Sequence, residues 1–118
     1  MRTLWVVAYD EKLADRVREH LLGEPGLTER RMFGGLGFMV NGNLAVSTSG
    51  QGGLLLRVDP AQTEDLIADP LAERFVMRGR ELNGWLRIDV DATMSEQELE
   101  GWLSRGVAYA RSLPPKAR

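Results

Sequence analysis

The dipeptide Asn41-Gly42 stands between two apolar runs in the stretch RRMFGGLGFMVNGNLAV, residues 30–46. A two-residue turn of type I′ needs positive φ at both central positions, and Asn-Gly meets that need at little cost. The pair therefore closes a tight antiparallel hairpin of residues 31–40 and 43–48, with Val40 opposite Asn43. Alternation along the ladder puts Phe33, Gly35, Gly37, Met39, Leu44 and Val46 on one face. Met32, Gly34, Leu36, Phe38, Val40 and Ala45 take the other. Both faces are apolar, so neither is left wholly to water.

The glycines of this stretch invite comparison with a phosphate-binding loop, and the spacing argues against one. A P-loop needs G-x-x-x-x-G-K-[ST], and no lysine is present here. A dinucleotide fingerprint needs a third glycine where Val40 stands, and a helix where a strand follows. Glycine inside a strand more simply permits a bend or a close approach by another backbone.

The flanking segments supply the remaining elements. Asp10 caps a helix over about 11–22, whose stripe is Leu13, Val17 and Leu21; Gly23 and Pro25 end it. LLLRVD, 54–59, reads as a third strand. Asp59-Pro60-Ala61-Gln62 then opens a short helix over about 60–68, with Pro at the first helical position and Gln completing a capping box. RFVMR, 74–78, and WLRIDV, 85–90, are two more strands around a turn region from Gly79 to Gly84. Ser95 and Glu98 form a second capping box, and Leu99, Trp102, Leu103, Gly106, Val107 and Ala110 line one face of a helix over about 96–112. The order α-β-β-β-α-β-β-α predicts a two-layer α+β domain: an antiparallel five-stranded sheet with helices on one face. Residues 9–116 form the single domain, and residues 1–8 an appendage.

MFGGLGFMVNGNLAV, GWLRID and the final WLSRGVAYARSLPPK together resemble the TfoX/Sxy N-terminal domain family. The opening AYDEKLADRVRE is similar to its stand-alone members, which lack a helical C-terminal domain. The resemblance spans about residues 8–116. It implies a fold like the secretion-chaperone-like α+β proteins, and a regulatory role: named members control DNA uptake and competence genes together with a global transcription activator. It carries over no catalytic residue and no cofactor.

Composition narrows the chemistry. The chain of 118 residues has a formal net charge of −2, too balanced for a global field that holds nucleic acid, and no recognition-helix signature is present. Direct DNA binding is therefore not expected. Without cysteine there is no disulfide, thiolate nucleophile or Cys-bound metal. No apolar run approaches the roughly 20 residues that span a bilayer, and MRTLWVV is short for a secretory signal. A cytoplasmic location without membrane attachment is the expectation. His20 is the sole histidine and lacks a second nitrogen ligand, and no sequence signal brings it to Ser47 or Ser49 as a triad. Glu64-Asp65, Glu96 and Glu98 sit at helix starts, where negative charge suits the helix dipole. No catalytic constellation emerges, and no metal or cofactor is expected.

One surface stands out. Alternation groups Arg57 with Leu55 and Asp59, Arg78 with Arg74 and Val76, and Arg87 with Trp85 and Asp89. Arg57, Arg78, Trp85 and Arg87 are thereby expected on the side away from the helices, and Arg31 at the start of the hairpin extends the patch. Arg and Trp are the residue types enriched at binding hot spots. Such a face suits a protein partner, a second copy of the chain or an anionic ligand. The competing assignment is a solvated sheet face, with Asp59 and Asp89 paired to arginines across strands. A two-fold dimer that sets hairpins together would cover the second apolar face; Leu4–Val7 folding back is the alternative cover.

Overall fold

The computed structural model describes residues 10–32, 34–50, 52–91 and 93–116. The expected appendage, 1–8, lies outside them. Helix α1 (Glu11–Leu21) leads into β1 (Leu27–Met32), β2 (Gly35–Val40), β3 (Asn43–Thr48) and β4 (Leu54–Arg57). A 3-10 turn, Pro60–Gln62, runs into the short α2 (Thr63–Leu66); then come β5 (Ala72–Met77), β6 (Arg80–Ile88) and α3 (Glu96–Ser112). The sheet is antiparallel, in the order β1-β2-β3-β4-β6-β5. The two-layer α+β class is as expected, but among the described residues the sheet has six strands rather than the expected five.

The extra strand is β1. Its sequence, LTERRM, is exposed at its four central positions because it forms the sheet edge. Charged side chains on such an edge discourage further strand pairing. Gly34, with φ of 72°, turns β1 into β2. The predicted strand 31–40 is thus two strands, broken at the glycine pair.

The Asn-Gly turn sits where expected, with φ of 52° at Asn41 and 83° at Gly42. Val40 pairs with Asn43 and Met39 with Leu44, but Phe38 then pairs with Val46, leaving Ala45 as an inserted residue. This bulge overturns one sequence expectation: Val46 moves to the face of Phe38. The core explains the shift. Phe38, Val46, Leu56 and Leu86 form one cross-strand row, all fully buried beneath the helices.

Helix α3 lies close over β3 and β4. A Cβ on Gly106 would stand 2.5 Å from the Ala45 carbonyl oxygen and 2.8 Å from Leu56 Cδ1, so this glycine sets the approach. Helix α1 adds Leu13, Ala14, Val17 and Leu21 to the same core. Its start is fixed as predicted, with Asp10 accepting from the Lys12 and Leu13 amides. His20 Nε2 donates to Glu96 Oε1 over 2.7 Å, since an ionised carboxylate only accepts. Arg16 donates to Glu96 Oε2 and to the Met94 carbonyl, so two α1 side chains clasp the start of α3.

The β2 glycines answer to packing. A Cβ on Gly35 would lie 1.8 Å from the Thr48 carbonyl oxygen, and one on Gly37 2.5 Å from Met32 Sδ. Strand neighbours occupy the space that a phosphate loop leaves for its ligand.

Candidate functional site

Strands β4 and β6 bring three of the predicted residues together. Arg57 pairs directly with Trp85, and Leu55 with Arg87, so all four side chains share the face opposite Phe38, Leu56 and Leu86. The Arg57 guanidinium carbon lies 5.2 Å from the centroid of the Trp85 ring, a cation–π distance. It also lies 5.6 Å from the centroid of Tyr109, which comes from α3. The arginine therefore reaches past the end of its strand and ends beside a helix, rather than on the side wholly away from the helices. Tyr109 is the residue that sequence reasoning misses here. It sits between Val107 and Ala110 of the buried stripe, and helical periodicity alone assigns it no contact with β4.

Among the described residues neither Asp59 nor Asp89 forms the cross-strand ion pair with an arginine that the competing assignment expects. Asp59 instead caps the 3-10 turn, with its Oδ1 accepting from the Ala61 amide over 2.9 Å. Arg57 has no ion pair or hydrogen-bonded acceptor among the described residues. Arg87 donates through Nη2 to the Gly52 carbonyl over 3.4 Å. It borders a cavity of about 350 Å³ that Gly52, Gly53, Pro70, Glu73 and Asp89 also line. One row across the sheet joins Arg30, Gly37, Ser47, Leu55, Arg87 and Glu73.

Two predicted members stand apart. Arg78 is not a strand residue: with Gly79 it forms the tip of the β5–β6 hairpin, at φ of 54°. Arg31 pairs with Leu36, whose row continues through Thr48, Leu54 and Ile88 on the helix-bearing side. Its neighbour Arg30 shares the row of Arg87, but four strand spacings separate them, roughly 19 Å. The compact cluster is therefore Arg57, Trp85 and Arg87.

Elsewhere the polar groups serve the fold. His20 and Ser47 lie on opposite sides of the sheet, so no triad assembles from them. Among the described residues no group of three or more His, Asp or Glu side chains is placed to hold a metal ion. No described helix is long and apolar enough to cross a membrane.

The sequence matches the family model of the TfoX N-terminal domain over residues 19–110. That interval runs from the end of α1 to the last turn of α3 and includes every described strand. No curated protein and no solved structure matches the chain. The match covers most of the sequence and agrees with the GGLG hairpin, the GWLRID strand and the final amphipathic helix: the chain belongs to the TfoX N-terminal domain family.

Proposed function

We propose that this domain acts by binding a protein partner rather than by catalysis, and that the β4–β6 face carries the contact. The observation behind this reading is the Arg57–Trp85 pair with Arg87 beside it on one face. Arg and Trp dominate the energetics of protein interfaces, because each joins a large apolar area to directional donors. The Trp85 ring fixes Arg57 before any partner arrives, which lowers the ordering cost of association. The regulatory process is of the class served by the competence regulators whose N-terminal domain this chain resembles, and its setting is the cytoplasm.

A capture experiment with tagged protein at native level, in lysate of its own source, tests the reading. A folded Trp85→Ala/Arg87→Glu variant runs beside it. Loss of one stoichiometric partner in the variant is the expected result. Recovery of the same partners by both forms, or of none by either, removes the face from consideration.

A further inference from the structure

Among the described residues the sheet ends in two edges, and they differ. β1 fills its centre with Thr28, Glu29, Arg30 and Arg31, a polar edge that discourages further pairing. β5, at the other end, reads AERFVM and sets Phe75, Val76 and Met77 in a row. Val76 is 52% exposed, one of two large apolar side chains so placed among the described residues. The register shift in this hairpin puts the extra residues, 83–85, into β6, so β5 itself runs unbroken from Ala72 to Met77. Such a regular, partly apolar edge is a template for another strand.

The charges along the β5–β6 hairpin are sorted by position. Glu73 and Asp89 border Arg87 at its base. Arg78 and Arg80 lie at its tip, and neither has a carboxylate partner among the described residues. Glu81 is the one acid at the tip, and it pairs with Val76 on the opposite face from Arg80. An acidic base and a basic tip complement themselves: a two-fold axis through the edge sets each tip beside the other copy's base. The side chains select the register. In a sheet continued across such an axis, facing residues share a face, so the axis passes through a residue opposite itself. At Glu73 or Arg74 the axis sets like charges against each other, and at Val76 it sets Arg74 against Arg78. At Phe75 it sets Phe75 against Phe75, Arg74 against Val76 and Glu73 against Met77, with no like charges opposed.

We propose that the β5 edge pairs with the β5 edge of a second copy of this chain, antiparallel about a two-fold axis through Phe75. Arg74 pairs with Leu86 and bonds to Glu64 of α2 on the helix side, so the two Phe75 rings meet on the other face. The apolar stem of Arg74 covers the second copy's Val76. Glu73 falls in line with the second copy's Met77 and Arg80, two strand spacings, roughly 10 Å, from that arginine, a gap that two long side chains bridge. The sheet continues edge to edge, which leaves the face of Arg57, Trp85 and Arg87 uncovered, so this contact stands or falls separately from the docking reading.

The chain has no cysteine, so single introduced cysteines report on the contact. Sedimentation equilibrium of the natural chain should give a dimer. Mild oxidation of Phe75→Cys should form an intermolecular disulfide, because directly opposed strand residues lie within bridging distance. It should do so at least tenfold faster than Val76→Cys, whose two copies lie on a diagonal, or Thr28→Cys on the β1 edge. Phe75→Lys sets two ammonium groups on the axis and should weaken dimerisation at least tenfold, with an amide spectrum that verifies the fold. A monomer at the highest soluble concentration, equal disulfide rates at the three positions, or a dimer that the folded Phe75→Lys variant leaves intact overturns the proposal.

Discussion

At the scale of single residues, two glycines on the same strand carry different burdens. A methyl at Gly35 meets backbone, the Thr48 carbonyl, which the ladder holds in place. A methyl at Gly37 meets the far end of Met32, which can swing aside. Gly35→Ala should therefore destabilise the domain by about 3 kcal/mol or prevent folding, whereas Gly37→Ala should cost about 1 kcal/mol. Denaturant midpoints of the two variants decide it, and equal losses would contradict the packing described. The sequence reveals that something approaches these glycines closely, but not what, because the approaching atoms come from β3 and from Met32. Arg78 shows a similar limit. Alternation assigns it a strand face, while Arg78-Gly79 provides the hairpin tip that the six-residue interval Gly79–Gly84 is expected to provide.

At the scale of elements, α3 contains two glycines of opposite character. A methyl at Gly101 would meet nothing within 4 Å, so alanine there gains helix propensity, about 1 kcal/mol. Gly106→Ala gains the same propensity but drives a carbon into the Ala45 carbonyl and Leu56, with a net loss of about 2 kcal/mol. Thermal unfolding should move in opposite directions for the two. Helix α3 is the most readable element, since Ser95 and the stripe from Leu99 to Ala110 mark both its start and its buried side. The β1 edge is the least readable: its polar centre, Thr28 to Arg31, shows no alternation because both of its faces stay largely exposed. Strand β6 hides for another reason. Gly84, at φ of 85°, lies where the pairing of β6 with β5 shifts register, and its backbone bonds instead to the Val58 amide and the Thr63 hydroxyl; from sequence a glycine with an asparagine beside it looks like a turn. In the candidate face, the Arg57–Trp85–Arg87 grouping follows from alternation alone, whereas the Tyr109 contact requires knowing where α3 ends.

At the scale of the whole molecule, the clasp between α1 and α3 couples stability to acidity. The hydrogen bond from His20, and then the bond and charge of Arg16, hold the Glu96 carboxyl below its ordinary value. Thr93 does the same for Asp91, through its hydroxyl and its amide. A carboxyl whose folded pKa is depressed takes up protons more readily when unfolded. Its contribution is complete above the unfolded-state value, near pH 4, and fades as pH falls through the folded-state value. Glu96→Gln should therefore flatten the acid limb of unfolding free energy against pH, measured by urea titration, and an unchanged limb would dissociate the clasp from acid sensitivity. The bulge at Ala45 ties the hairpin to a distant part of the chain. A ladder that zips from Asn41-Gly42 pairs Met39 with Leu44 and would next set Phe38 against Ala45; the native pairing skips that residue. What rewards the skip is the row under α3, which exists only once helix and sheet have met. The native register of the hairpin and the seat of a helix that begins some fifty residues later thus rest on the same buried row, so a change at Ala45 or Gly106 is felt by both.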